Sequence, residues 1–334
     1  MNSPARPPRL VAVVTTYNRL AELQITLERL LQVPESLLQA VVIVNNCSTD
    51  ATQDWLDAQQ DLRLLLHHSD KNLGGAGGFE VGMRLAVQTF DPDWVVVMDD
   101  DARPHAGAFE QFASQPRDRA SGGADVWAAA VYFANGEICE MNRPSVNPFW
   151  RPKVFFKTLL GMFSGGGRNG YHIACSAYQQ SDQKELDAAS FVGMFISRQV
   201  IEVMGYPERA LFLYGDDVIY SLRLRRQGFS MLFDPMLRFE HNCTTFADDK
   251  KRVFSPLWKV YYTYRNGLIM YHNAAGIFFW PLLFLLVPKW LLATRRYGDQ
   301  RKVYLRLVRR AIIDGVLGRK TLSHQAVLAL AKGG

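Results

Sequence analysis

Residues 94–104 read WVVVMDDDARP. The apolar run Val95–Met98 has the length and β-branched content of a buried strand, and Pro104 marks where it must stop. Between them stand Asp99, Asp100 and Asp101, three adjacent carboxylates that repel one another. Either the triplet is a solvated turn, or something positively charged sits on it.

Upstream, the same kind of run recurs at a regular interval. RLVAVVTTYN (9–18), QAVVIVNNCSTD (39–50) and LRLLLHH (62–68) each read as an apolar strand, the first two passing into a polar loop. Helical spacing lies between them: Leu20, Leu23, Leu27, Leu30 and Leu31, then a short helix from Ala51, then GGFEVGMRLAVQTF (77–90). Strands apolar throughout, alternating with helices, predict an α/β fold with a mostly parallel sheet covered on both faces. Ligands of such sheets bind beyond the carboxyl ends of the strands. Thr15–Arg19, Asn45–Asp50, Asp70–Gly78 and Asp99–Asp101 are therefore expected to converge on one crevice.

The chain has 334 residues, 48% of them hydrophobic and 21% charged, enough for a large packed core and unlike a disordered chain. Its net charge of +6 favours anionic partners. Cys47, Cys139, Cys175 and Cys243 are scattered without metal-ligand spacing, which suits a reducing compartment. MNSPARPPRL at the N-terminus lacks the apolar core of a signal peptide, so a cytoplasmic protein is expected.

Residues 117–190 are less regular; NRPSVNPFWRP and SGGGRNG read as loops beside a substrate. Periodicity returns at SFVGMFISRQVIEVMGYPE and YGDDVIYSLRLRRQG. Beyond about residue 250 the chain turns aromatic, apolar and basic, which divides it into 1–250 and a C-terminal helical region, 251–334. AAGIFFWPLLFLLVPKWLLA (274–293) is interrupted by Pro281, Pro288 and Lys289, and an arginine-rich amphipathic stretch follows. Together they suit docking on an anionic membrane surface, with a buried hairpin or a true span as the other possibilities. Nucleic acid is not the expected partner, because these arginines alternate with aliphatic residues and not with stacking aromatics.

Three phosphate-binding schemes fail on the residues present. The loop after the first strand, TTYNRL, has no glycine for a dinucleotide fingerprint; NLGGAGGFEVG follows the third strand with the wrong spacing; and no P-loop occurs. An aspartyl-phosphatase run would end in Thr or Val where Arg103 stands. A carboxylate pair holding Mg²⁺ or Mn²⁺ against a diphosphate remains. In extended backbone Asp99 and Asp101 point one way and Asp100 the other. Asp99 and Asp101 then share one ion, or one of them takes a ribose hydroxyl.

VAVVTTYNR, VVIVNNCSTDAT, NLGGAGGFEVGM, MDDDARP and LYGDDVIYSLRLRRQG resemble, in order and spacing, the motifs of family 2 inverting glycosyltransferases with a GT-A, Rossmann-like fold, over about residues 9–245. NLGGAGGF, DDD and YGDD together look most like bacterial galactofuranosyltransferases acting on lipid-linked glycans; related rhamnosyltransferases using dTDP-rhamnose come second. The resemblance assigns Thr15, Thr16, Tyr17 and Arg19 to a nucleotide loop, and Asn45 to the place of an acid that reads uracil. Asn72, Gly74, Gly75 and Gly77 would cover the diphosphate, if they are not simply a turn opening a helix, and Asp100 joins the donor site. Asp217 becomes the general base with Asp216 beside it, although both also suit a helix N-terminus. His241 becomes a metal ligand with Asp99 and Asp101, and its imidazole favours Mn²⁺ over Mg²⁺. Ile219 stands where relatives often carry an acid. YYTYRNG (261–267) reads as a packing stripe, with part of an acceptor channel as the alternative, and neither Trp150 nor His172 is assigned a role.

The implied activity is metal-dependent, inverting transfer from UDP-galactofuranose to a polyprenyl-diphosphate-linked or polysaccharide acceptor of the cell envelope. It would take place on the inner face of the cell membrane, with the enzyme bound peripherally. A non-catalytic nucleotide-sugar-binding scaffold is the alternative of another class.

Overall fold

The computed structural model describes residues 8–116, 119–163, 167–242 and 253–332. Residues 1–7 of the N-terminal stretch, 164–166 of SGGGRNG, Cys243 and the 250/251 division lie outside the described residues.

The amino-terminal half is the expected alternation. Strands β1 (Leu10–Thr16), β2 (Ala40–Asn45), β3 (Leu64–His68) and β4 (Trp94–Asp99) are separated by helices α1 (Leu20–Leu31), α2 (Thr52–Asp57) and α3 (Gly74–Phe90). The strands pair in parallel in the order β3-β2-β1-β4. Ala12, Val14, Ile43 and Val96 pack on one face against Leu23, Leu27 and Leu30 of α1. Val11, Val13, Val42 and Val97 pack on the other against Phe79, Met83 and Ala86 of α3. Burial on both faces is why these strands carry no polar alternation, and each such aliphatic side chain contributes about 1.5–3 kcal/mol.

The carboxyl half of the sheet is mixed. After β5 (Ala102–Pro104) and α4 (Ala108–Ala113) come β6 (Val126–Tyr132), α5 (Pro152–Phe163), β7 (Lys184–Glu185), β8 (Met194–Ser197), α6 (Arg198–Met204), α7 (Asp216–Arg226) and β9 (Met231–His241). The order continues β4-β8-β6-β9-β5, with β7 on β9. β8 is antiparallel to β4 and to β6, whereas β6 and β9 are parallel. The parallel arrangement expected from the alternation thus holds for the first four strands and ends where βαβ crossovers stop. NRPSVNPFWRP is a loop with a short 3₁₀ turn at Pro148–Trp150, but α5 directly after it was not anticipated.

From Lys259 the described chain is helical: α8 (Lys259–Ala275), α9 (Phe279–Leu292), α10 (Arg301–Val316) and α11 (His324–Lys332). Tyr261, Tyr262, Tyr304 and Leu307 form a core that also takes in Phe212 from the loop before α7. α8 and α10 cross so closely that a side chain at Gly315 would press on Leu268 and on the Arg265 carbonyl. The apolar segment is a candidate membrane-associating region and is largely uncovered, so it is not a buried hairpin. Left-handed backbone at Gly276 and Gly298 breaks the run at both ends. The 14 residues of α9 reach about 21 Å, short of a hydrocarbon core about 30 Å thick.

Candidate active site

The parallel strands end in register. Thr16 lies opposite Asn45, Asn45 opposite His68, and Thr15 opposite Asp99. The polar residues after the apolar runs therefore share one sheet edge, as the ligand-site rule for such sheets requires.

At that edge the acidic triplet divides its work. Asp99 closes β4, and Asp100 and Asp101 form the turn into β5. Asp100 is buried; its carboxylate accepts from the Thr16 hydroxyl at 2.7 Å, and its carbonyl accepts from the Thr26 hydroxyl at 2.6 Å. Asp101 turns to His241, whose Nε2 is 3.1 Å from Oδ1. Ligand atoms of Asp99, Asp101 and His241 all lie within 4.8 Å of one another. The separation expected from extended backbone is thus reached through a turn.

Positive charge within the chain meets the triplet. Arg19 lies 2.8 Å from Asp101 Oδ2 and 3.4 Å from Asp100 Oδ1. Burial alone would raise Asp101, but His241 and Arg19 beside it hold it below the ordinary carboxylate range. At Asp99, burial with the Asp101 charge outweighs the pull of His241 and pushes it up to about 8. His241 Nδ1–H donates to Asn142 Oδ1 at 2.7 Å. That bond orients the ring with Nε2 towards Asp101, as a partner on the other ring nitrogen does for metal-ligating histidines. Two carboxylates and one oriented imidazole fit a divalent cation such as Mn²⁺.

The second acidic pair opens α7. Gly215, left-handed at φ 75°, brings the chain into the helix, and Phe212 and Tyr214 just before it are also left-handed, at 66° and 68°. Left-handed backbone is costly for side-chain-bearing residues, so the surroundings must hold it. They do so from α8. Asn266 Nδ2 lies 2.8–2.9 Å from the carbonyls of Leu211, Leu213 and Tyr214, and Arg265 donates to those of Ala210 and Leu211. Asp217 Oδ1 accepts from the Val218 backbone N–H at 2.7 Å. Burial pushes Asp217 up to about 6 against that bond, and burial with the Asp217 charge pushes Asp216 up to about 7. The Asp216 charge also raises Asp99, so the two acidic groups lie within electrostatic range of each other.

A family model, described as "Glycosyl transferase family 2", matches residues 11–186, just over half of the chain. The chain belongs to glycosyl transferase family 2. Similar proteins include galactofuranosyltransferase GlfT2 of Mycolicibacterium smegmatis, 24% identical over 77% of this chain and 40% of that one. Galactofuranosyltransferase GlfT1 of Mycobacterium tuberculosis is 27% identical over 65% of this chain and 64% of that one. The chain thus spans about two fifths to two thirds of these relatives' length. Among solved structures, GalNAc-T7 with UDP, GalNAc and Mn²⁺ superposes with a TM-score of 0.53 at 12% identity, over 79% of this chain and 51% of that one. The mannosyltransferase PcManGT of Pyrobaculum calidifontis with GDP-Man and Mn²⁺ gives 0.51 at 15% identity, over 99% and 81%. These likenesses establish the GT-A fold.

Within this family 2 chain, several expected site residues serve the protein itself. Asn45 is buried: its amide nitrogen is 3.1 Å from His68 Nδ1, and its Oδ1 accepts from Ser48 N. Asn72 closes the turn before α3 by accepting from the Gly74 N–H at 2.8 Å. Gly74, at φ +70°, leaves no room for a Cβ beside the Phe212 carbonyl, and Gly77 none beside Leu73. Gly78 and Gly82 admit Thr15 and Val13 of β1, so helix-to-sheet contact accounts for them. Gly75 alone among these has open space above it. Thr15 is buried with its hydroxyl unpartnered, and Tyr17 is exposed.

Four residues around the candidate site are given no role of their own by the sequence reading. Asn142 orients His241 from a loop, and no local pattern marks it. Asn46 accepts from Leu73 N and donates to the Gly74 carbonyl, tying the β2 loop to α3. Arg265 and Asn266 sit in YYTYRNG, read as packing; a buried Arg-Asn pair beside aromatic residues was the available signal. Ile219 packs with Ala76, Leu211 and Ile269, so it faces the core. His172 Nδ1 contacts the Arg143 carbonyl, and Trp150 lies under Arg226.

Proposed function

We propose that this chain is a metal-dependent inverting glycosyltransferase that moves galactofuranose from UDP-galactofuranose to a lipid-linked or polysaccharide acceptor. The observation that carries the proposal is the Asp99–Asp101–His241 cluster at the sheet edge, whose Asp99 also feels the charge of Asp216 at the start of α7. The galactofuranosyltransferase activity of GlfT1 and GlfT2 supports the choice of sugar, and the UDP and Mn²⁺ bound by GalNAc-T7 support the donor class and the metal.

In this reading Asp99, Asp101 and His241 would hold the cation, which would supply charge to offset that of the departing diphosphate. Thr16, through Asp100, and Arg19 fix the acidic turn. Asp217 takes the proton of the acceptor hydroxyl as that oxygen attacks the anomeric carbon; the bond to UDP breaks on the opposite face and the configuration inverts. A single displacement requires one base and no covalent nucleophile. The like charge of Asp217 in turn raises the proton affinity of Asp216. A lipid-linked acceptor and the basic C-terminal helices support a reaction at the inner face of the cell membrane.

The test is nucleoside-diphosphate release from UDP- and dTDP-sugars with Mn²⁺, with Mg²⁺ and with chelator, in the presence of a polyprenyl-linked acceptor extract. Release from UDP-galactofuranose alone, lost with chelator, is expected. Release from dTDP-rhamnose would transfer the mechanism to another sugar. UDP binding without turnover of any donor would favour the scaffold.

A further inference from the structure

We propose that α5 is a second membrane-docking element, joining α9 to form one surface for an anionic phospholipid bilayer. The proposal goes beyond the C-terminal helices and rests on the reading that they dock to a membrane.

α5 is fixed on one side only. Phe155 meets Phe149 and Phe278, with ring centroids 5.9 and 6.3 Å apart. The 167–170 turn packs so tightly on the same helix that Gly170 has no room for a Cβ beside Thr158. The Thr158 hydroxyl donates to the Val154 carbonyl at 2.8 Å, which hides its polarity inside the helix. On the other side Phe156 is 61% and Leu160 70% exposed, one turn apart, and nothing in the described chain covers them.

The neighbouring helix does the same. Ile277 and Phe284 are more than 80% exposed, and Leu285 is exposed with them. The two helices meet at Phe278, whose ring lies 6.4 Å from that of Phe149 and contacts Phe155. A second tie is Asn147, whose side chain donates to the Ala274 carbonyl at 2.9 Å, at the end of α8. α5 and the start of α9, segments far apart in sequence, are therefore tied together, and each leaves large apolar residues uncovered. Patches of this kind mark interaction sites.

Charge selects the partner. Lys153 and Lys157 stand exposed on α5, and Lys289, Arg295 and Arg296 stand exposed on and after α9. Asp299 is the exposed acid among residues 276–313. An apolar stripe with a basic border suits an interface in which acyl chains lie below and anionic headgroups above. A second copy of this chain fits poorly, because a two-fold contact sets the same lysines and arginines against each other. The segment leading into α5 also carries Asn142, which orients His241, so docking through α5 would bring the crevice to the surface that carries a lipid-linked acceptor.

The test is flotation of the full chain with phosphatidylcholine vesicles, with and without phosphatidylglycerol. Three proteins are compared: wild type, Phe156→Asp/Leu160→Asp and Phe284→Asp/Leu285→Asp, with UDP affinity as the check of the fold. Wild type should float with phosphatidylglycerol vesicles, and the α5 variant should lose about tenfold or more in partitioning at unchanged UDP affinity. Loss in the α9 variant alone overturns the role of α5 and leaves the C-terminal helices as the membrane contact. Failure of wild type to float overturns both. A wild-type dimer that the α5 substitutions split would assign the face to a second copy. Phe156→Trp offers a measurement without charge: quenching by brominated acyl chains beyond that of wild type is expected, and its absence counts against the proposal.

Discussion

The side-chain amide of Asn266, on α8, reaches the main-chain carbonyl of Tyr214, two residues before Asp216, at 2.8 Å, and reaches those of Leu211 and Leu213 as well. Two hydrogens serve three carbonyls of a loop that is left-handed at Phe212 and Tyr214. The helix beyond the sheet domain thus sets the backbone that presents the acidic pair.

Asn266→Ala removes those donors while leaving Asp217 in place. It should destabilise the protein by about 2–3 kcal/mol, because buried carbonyls lose partners. It should also lower kcat by about 10- to 100-fold through misplacement of the base. UDP affinity should hold, so thermal unfolding, kinetics and UDP titration together separate a positioning role from a donor-binding one. Weakened UDP binding with unchanged kcat would contradict it.

Asp217→Asn should abolish transfer and spare UDP binding. Because burial pushes Asp217 up to about 6, a base needed in its ionised form makes kcat/KM rise with pH and level off above that value. A pH profile flat from 5 to 8, on the order of the window set by that shift, would remove Asp217 from the role.

Asn142→Leu leaves the carboxylates intact but frees the His241 ring. Loss of such an outer partner typically weakens a metal site about 10- to 100-fold. Mn²⁺ titration followed by electron paramagnetic resonance should show that loss in the absence of donor, and Asn142→Gln should restore part of it. Equal Mn²⁺ affinity in the leucine variant would make the His241–Asn142 bond purely structural.

The glycine loop separates packing from ligand contact. Gly74→Ala meets the Phe212 carbonyl and a φ of +70°, and should destabilise by about 2 kcal/mol or more. Gly75→Ala meets nothing within 4 Å and should leave the melting temperature in place. If the loop covers the diphosphate, Gly75→Ala nevertheless weakens UDP binding. Unchanged UDP affinity would confine the loop to helix packing.

Much of the sheet and the existence of its crevice were legible in the chain itself. β1, β2, β4 and α1 follow from apolar runs and 3.6-residue spacing, which are local properties, and the carboxyl-end rule then places Thr15–Arg19 and Asp99–Asp101 at one edge. α5 was not legible, because apolar residues and lysines mix around it without a clear stripe, between proline-rich and glycine-rich stretches. Its first residue, Pro152, belongs at a helix start, where the missing N–H costs nothing, but it reads equally well as part of a loop.

By itself, then, the sequence determined which segments are strand or helix and which polar residues follow them, because burial periodicity and chain-stopping residues act over a few positions. Only the tertiary structure decided what those residues do. Asn142 meets His241 across 99 residues and Asn266 meets Leu211 across 55, while Gly78 and Gly82 yield their space to β1. Hydrogen-bond partners and close approaches of this kind depend on how distant elements pack, and hydrophobic patterning records only that a position is buried, not what it is buried against.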